Sequence, residues 1–241
     1  MSDSRAITVQ GSLHFMAKKS TISLPPASQA DIAHQRLEEM IVTLQLPPGS
    51  HWSEEGLADQ IGIGRTPVRE AVKRLQADYL VSILPRHGLM ITEISVHDQL
   101  LVIEFRRELE AFISRRAALR ITASDKELLA IAAREIDSAG VKGNLEKYLR
   151  EVFNANRLIA KAAGNPYAAR SISPLHALSR RFYYRYERDL QNLRAMGGLH
   201  ADRARAVVEQ DENLAVEKAN ALLDQIESYT RRIFNLSVAA V

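Results

Sequence analysis

The chain has 241 residues, 46% hydrophobic and 25% charged, enough to bury one sizeable core or two smaller ones. It has no cysteine, which excludes disulfides, thiolate-bound zinc and thiol nucleophiles and fits a reducing cytosol. A net charge of +3 permits a polyanionic partner without requiring one. No apolar run approaches the roughly 20 residues that span a bilayer, and no secretion signal opens the chain, so a cytoplasmic protein with no membrane partner is expected.

Residues 1–27 mix Ser, Thr and Lys with a Pro25-Pro26 pair, show no periodicity, and read as a flexible tail with no assigned function. Ser28 and Asp31 make a capping-box start; Ile32, Leu37, Met40, Ile41 and Leu44 follow at helical spacing until Pro47-Pro48-Gly49. Ser53 caps a short second helix with Glu54 and Glu55 in its first turn, Leu57, Ala58 and Ile61 on its apolar side, and Gly62 at its end. After Gly62-Ile63-Gly64, Thr66 is the expected N-cap and Pro67 the first residue of a third helix reaching about Tyr79. Val68, Val72, Leu75 and Tyr79 form its core stripe, while Arg69, Lys73 and Gln76 share another flank. Residues 81–92 hold two short β-prone runs joined at His87-Gly88, a hairpin wing.

Beyond Ile94 the pattern is helical throughout. Ser95 and Asp98 start a long helix whose apolar residues are Leu101, Phe105, Leu109, Phe112 and Ile113. Ser124 and Glu127 start another, which Gly140 and Gly143 break. Further helices are expected at 144–163, 167–194, 199–210 and 212–236, separated by Gly164-Asn165-Pro166, Gly197-Gly198 and Asp211, with Pro174 splitting or kinking its helix. The fold class is therefore mainly α: residues 28–92 as a winged helix-turn-helix, and 93–241 as an all-helical antiparallel bundle for ligand binding and dimerisation.

Charge singles out one segment. Residues 28–64 carry one base against six acids, whereas 65–92 carry five bases against two acids. A short helix, a glycine turn and a second helix with bases on its exposed flank suit major-groove readout. Arg65 and Arg69 would reach guanine edges or phosphates, Thr66 and the first-turn amides would grip a phosphate, and Arg86 and His87 would add donors from the wing. The alternative is that Arg69, Lys73 and Arg74 form an ordinary solvated flank and His87 an ordinary exposed turn residue.

The run Arg65-Thr66-Pro67-Val68-Arg69-Glu70-Ala71-Val72 follows Pro47-Pro48-Gly49-Ser50 and Ser53-Glu54-Glu55-Gly56-Leu57-Ala58, and precedes Pro85-Arg86-His87-Gly88. Together these resemble the DNA-binding domain of the GntR family of bacterial transcription regulators. The resemblance implies contacts to double-stranded operator DNA from Arg65, Thr66 and Arg69 and, at the wing tip, from His87 and Gly88. Glu55 stands where some members carry a DNA-reading arginine. More loosely, Arg106-Arg107-Glu108-Leu109-Glu110 and Ala160-Lys161-Ala162-Ala163-Gly164-Asn165 resemble the effector half of the FadR subgroup, the FCD-type domain.

Many such domains hold a divalent metal with an Asp, a His four residues on, and two later histidines. Here the first two positions fall on Val152 and Asn156 and the last falls within 222–226, where no histidine stands, so only His200 matches. No metal and no cofactor are therefore expected. A small organic acid is the more natural effector, since arginine offers a bidentate fork to carboxylate. Arg106, which the resemblance turns inward, is the expected anchor, with Asn156, Tyr184 and His200 as neutral hydrogen-bonding partners. His200 also reads as an ordinary histidine, and the basic-aromatic run 180–186 as the two faces of an amphipathic helix.

The expected protein is a homodimeric repressor whose operator affinity the acid modulates. One rival is a metal-dependent regulator of the same fold. Another is a helical enzyme using Glu110, His176, His200 and Asp202 for acid-base work, although nothing arranges these into a motif.

Overall fold

A computed structural model describes residues 28–239; the tail read at 1–27 lies outside the described residues. In chain order the elements are α1 (Gln29–Val42), β1 (His51–Trp52), α2 (Glu54–Ile61), α3 (Arg65–Ala77), β2 (Val81–Leu84), β3 (Gly88–Ile91), α4 (Val96–Arg120), α5 (Ala123–Lys142), α6 (Leu145–Ala162), α7 (Pro166–Tyr186), α8 (Leu190–Val208) and α9 (Glu212–Ala239). No helix among these residues is long and apolar enough to cross a membrane.

The first three helices and the sheet enclose one core. Ser28 caps α1 as a complete capping box: the Asp31 N–H donates to Ser28 Oγ at 3.1 Å and the Ser28 N–H donates back to Asp31 Oδ2 at 3.0 Å. Ser53 caps α2 through the Gly56 N–H, and Gly62 ends it in the left-handed conformation. Leu37, Ile41, Leu57, Val68, Val72, Leu75, Leu80, Leu89 and Ile91 interlock beneath. The antiparallel sheet runs in the order β1, β3, β2, so the hairpin carries a third strand that the sequence pattern did not announce. Gly88 makes that pairing possible: its φ is +83°, and a Cβ there would collide with the Trp52 carbonyl.

Two details of α3 differ from expectation. The helix starts at Arg65 on Gly64, with no side-chain cap, so Thr66 lies inside the first turn instead of capping it. Pro67 is tolerated there because a first-turn nitrogen has no intrahelical acceptor to lose. At the other end Tyr79 is not core but 73% exposed. The helix stops at Ala77, Tyr79 turns left-handed at φ 62°, and the Leu80 N–H closes back on the Leu75 carbonyl. Leu80 then takes the buried place. Leu44 and Leu46 repeat the exchange after α1: Leu44 turns left-handed at φ 63° and Leu46 is buried.

The C-terminal half packs α4 against α6, α7, α8 and α9, with α5 laid over α6 and α8. Ser95 caps α4 as expected, whereas Thr122, not Ser124, caps α5. Leu101, Phe105 and Phe112 face outward, and α4 buries Ile103, Arg106, Glu110, Ile113, Ser114 and Ala117 instead. Gly143 ends α5, but Gly140 lies within that helix, and Gly197-Gly198 do not break α8. A Cβ on Gly140 would stand 3.0 Å from the Leu193 carbonyl and 3.2 Å from Gly197 Cα, so these two glycines let α5 and α8 cross at close range. The interruption falls at 187–189, where Asp189 caps α8. Pro174 sits inside α7, which is neither split nor ended there. Ala177 of α7 packs into the N-terminal core, making α7 the element common to both halves.

Candidate functional site

On α3 the residues Arg65, Thr66, Arg69 and Lys73 are all exposed and, at helical spacing, occupy one flank. Arg86, His87 and Gly88 are exposed at the hairpin tip, Arg86 at φ 65°. The α2 acids already hold two of these arginines: Arg65 Nη2 donates to Glu55 Oε2 and Arg69 Nε to Glu54 Oε2, each at 2.9 Å. Exposed pairs of this kind contribute about 1 kcal/mol or less, so a phosphate or base edge can displace them. Arg74 is used differently, donating to Asp31 at 2.6 Å and tying α3 to α1; with Ser28 it holds the Asp31 carboxyl down at about 2.

In the helical half, Arg106, Asn156 and His200 line one buried chamber with Tyr148, Val152, Phe153, His176, Arg180, Tyr183 and Ile226. Tyr184, named with them from sequence, lies elsewhere. It is one step along α7 from Tyr183 and lines a groove with Glu39, Gln45 and Arg150 beside α1. The sequence reading does not bring Glu110, His176, Arg180 and Arg203 to this chamber. The signal for them is polar residues at core spacing: Arg106 and Glu110 four apart, His200 and Arg203 three apart, and His176, Arg180 and Tyr183 at steps of four and three.

The chamber's electrostatics centre on Glu110. Its Oε1 accepts from Arg106 Nη2 at 2.9 Å and from His176 at 2.7 Å, and its Oε2 pairs with Arg203 Nη2 at 2.5 Å. Burial alone would raise its pKa; Arg203, His176 and Arg106 outweigh that and hold the carboxyl well below the usual range. Arg203 also donates to Ser114 Oγ at 2.9 Å and to Asn156 Oδ1 at 3.1 Å, leaving the Asn156 amide hydrogens for another acceptor. Burial, reinforced by Arg203 and Arg106, lowers His200 to about 3. Burial likewise lowers His176, which as a neutral ring must carry its proton on Nε2 to donate to Glu110. With both imidazoles neutral, Arg106 and Arg203 share the one carboxylate of Glu110 while Arg180 pairs with Glu39 outside the chamber, so one positive charge of the Arg106, Arg203 and Glu110 cluster has no counterion.

The chamber itself has a free volume of only about 30 Å³. Phe153, Asn156 and His176 also border an adjoining cleft of about 670 Å³ with a largely apolar wall that includes Leu128, Ile131, Ala132, Leu158 and Ile172. A polar head and an apolar body would thus find adjacent places.

These residues do not fit a divalent cation. Val152 is core, Leu222, Leu223 and Ile226 fill the last expected ligand position, and two guanidiniums would repel the ion. Among the described residues no group of three or more His, Asp or Glu is placed to hold a metal. The set named for acid-base work is also divided: Asp202 pairs with Arg205 at 2.7 Å on a more exposed face.

One contact leaves the chamber for the N-terminal half. Arg180 stacks over the Phe153 ring at 4.3 Å and donates to Glu39 Oε2 of α1 at 2.5 Å. Its neighbour Arg181 donates to the Thr92 hydroxyl at 3.0 Å and also to the Thr92 carbonyl, just past the wing.

Residues 29–91 match the family model "Bacterial regulatory proteins, gntR family", and residues 101–225 match the FCD domain. A regulator of the helix-turn-helix type from the TAR-I ttuE-ttuC' intergenic region of Agrobacterium vitis is 37% identical over 97 residues, covering 40% of this chain and 57% of that protein. The Escherichia coli K12 regulator McbR is 28% identical over 145 residues, covering 60% of this chain and 62% of that one. Each match spans less than two thirds of the relative's length. The solved structure of E. coli McbR/YncC superposes with a TM-score of 0.75 at 20% identity, over 87% of this chain and all of that one, a likeness of fold. The FCD match spans more than half of the chain, and with the match over residues 29–91 it places the chain in the GntR family, joining a helix-turn-helix domain to an FCD domain.

Proposed function

We propose that this regulator is a repressor that binds a near-palindromic operator as two copies and changes its grip when a small organic acid occupies the chamber. The observation that carries the effector reading is the uncompensated positive charge among Arg106, Arg203 and Glu110, enclosed with two neutral histidines. A carboxylate supplies the missing charge and accepts from Arg106, whose Nε has no partner, and from the Asn156 amide. The adjoining apolar cleft favours an acid with a hydrocarbon body over a compact inorganic anion.

On the DNA side, Arg65, Arg69 and Lys73 read the major groove, while Thr66, Arg86, His87 and the Gly88 backbone engage the DNA backbone. Occupying an operator obstructs other proteins without any further surface, which supports repression as the sign. The test is thermal melting and operator anisotropy with a panel of carboxylic acids and their amides. At 100 times its Kd the effector stabilises the fold by about 2.7 kcal/mol and shifts DNA affinity, while the amide does neither. If Arg106→Met leaves the acid's binding unchanged, the chamber is not its site.

A further inference from the structure

A second cavity lies where the two halves of the chain meet. It has a free volume of about 530 Å³, within the range of small-molecule sites, and shares no lining residue with the chamber or its cleft. Helices α4 and α7 build its apolar wall from Val102, Phe105, Leu175, Leu178 and Phe182, and the connector after the wing closes it through Thr92 and Glu93.

One polar side chain in this wall is left over. Arg181 is 1% exposed, donates to the Thr92 hydroxyl and carbonyl through its two terminal nitrogens, and leaves Nε without a partner. Burial lowers its pKa only to about 10, so a full positive charge sits inside the junction at neutral pH. No carboxylate pairs with it among the described residues: Glu93, the acid that acts on it, is exposed, with its carboxyl against Gly49. Gln99, also buried in this wall, is already taken up by Ser179. A buried guanidinium without a counterion is destabilising, and a carboxylate entering the cavity relieves it.

The mouth carries the opposite sign. Glu93 and Asp98 line the cavity and are exposed, so a plain acid must pass two carboxylates to reach one arginine, while an amine finds no anion inside. A zwitterion with an apolar body meets both demands. We infer that the junction is a second ligand site, distinct from the acid's chamber, and that it takes an apolar amino acid: carboxylate on Arg181, ammonium toward Glu93 and Asp98, side chain along Phe105 and Phe182.

The site has a short path to α3. The Thr92 hydroxyl that accepts from Arg181 donates at 2.9 Å to the carbonyl of Tyr79, just past the end of α3, and Tyr79 itself lines the cavity. A ligand that draws Arg181 off Thr92 alters how that end of the helix is held, and with it the affinity for operator DNA.

Isothermal titration calorimetry of the full chain with L-leucine, L-methionine and L-phenylalanine tests the site. At least one should bind once per chain, and its analogues lacking the ammonium or the carboxylate should bind about tenfold more weakly or worse; for phenylalanine these are hydrocinnamate and phenethylamine. Arg181→Met should abolish binding, and so should Val102→Trp, which fills the cavity without touching the buried charge, each judged on a chain with wild-type circular dichroism. Glu93→Gln with Asp98→Asn should weaken the amino acid several-fold without weakening hydrocinnamate. No heat from any of the three amino acids at millimolar concentration, or binding that survives Val102→Trp, overturns the site. Loss in Arg106→Met with retention in Arg181→Met puts the ligand in the chamber and overturns it as well. Hydrocinnamate that binds as tightly as phenylalanine overturns the zwitterion assignment, and an amino acid that binds without changing operator affinity in anisotropy overturns the path to α3.

Discussion

The arginines of α3 do not wait unoccupied: Glu55 and Glu54 hold Arg65 and Arg69 at 2.9 Å, and under the proposed contacts DNA must take them over. Arg69→Ala should weaken operator binding by about 1 to 3 kcal/mol in fluorescence anisotropy, with the melting temperature unchanged. Glu55→Gln should act oppositely, tightening DNA binding several-fold at low salt, because it frees Arg65 and removes a negative charge from the phosphates; weaker binding would mean that Glu55 positions Arg65 for readout. Inside the chamber the pH response has a definite sign. A histidine with a folded pKa below its unfolded value of 6.5 binds fewer protons when folded, so stability rises with pH across that window and falls on acidification. His200, at about 3, and His176 should therefore make the melting temperature drop as pH falls below about 6.5. Glu110, depressed below 4.5, adds a further loss under more acid conditions. His200→Gln should flatten the profile between pH 6.5 and 4, and a slope equal to wild type would remove His200 as its source.

Helices announce themselves differently at their ends and along their faces. The caps at Ser28, Ser53 and Ser95 were legible because each satisfies a backbone N–H three residues on, a local event. Glycine spacing was legible as a special backbone need, but not which one: Gly62 and Gly143 end helices in the left-handed conformation, whereas Gly140 and Gly197 stay helical and meet across a crossing. The two uses look alike until a partner helix is present. The chamber was half legible for a related reason. Arg106, Asn156 and His200 follow from the resemblance, while Glu110, His176 and Arg203 are drawn together by pairings between residues 66 and 93 apart, and Arg180 is held by Glu39, 141 residues away. Tyr184 lines a different groove from Tyr183, one position along and so 100° of helix rotation away. The crossing gives its own prediction. Gly197→Ala would set a Cβ 3.2 Å from Gly140 Cα and 3.3 Å from the Ile136 carbonyl, so α5 and α8 must move apart, costing about 1 to 3 kcal/mol in denaturant unfolding. Gly198→Ala, with nothing within 4 Å, should instead be neutral or stabilising, since alanine is the better helix former.

For the molecule as a whole, what matters is how an occupied chamber is felt at α3, and α7 offers the route. It lends Ala177 to the N-terminal core, His176 and Tyr183 to the chamber, and Arg180 to both, since that guanidinium lines the chamber and donates to Glu39. A carboxylate that draws Arg180 inward competes with Glu39, and loosening that tie changes how α1, and α3 packed on it, is held. Glu39 is half exposed, so the pair is worth about 1 kcal/mol at most, which limits its share of the coupling to roughly fivefold. Linkage makes the prediction reciprocal: the factor by which the acid changes operator Kd equals the factor by which operator DNA changes the acid's Kd. Glu39→Gln should reduce both factors together, by up to about fivefold, while the acid binds the DNA-free protein slightly more tightly because Arg180 is already released. Titration calorimetry with and without operator, set beside anisotropy with and without acid, measures all four constants. Should Glu39→Gln leave both factors at their wild-type values, the signal bypasses the Arg180 tie, and the Arg181 contact to Thr92 becomes the next link to test.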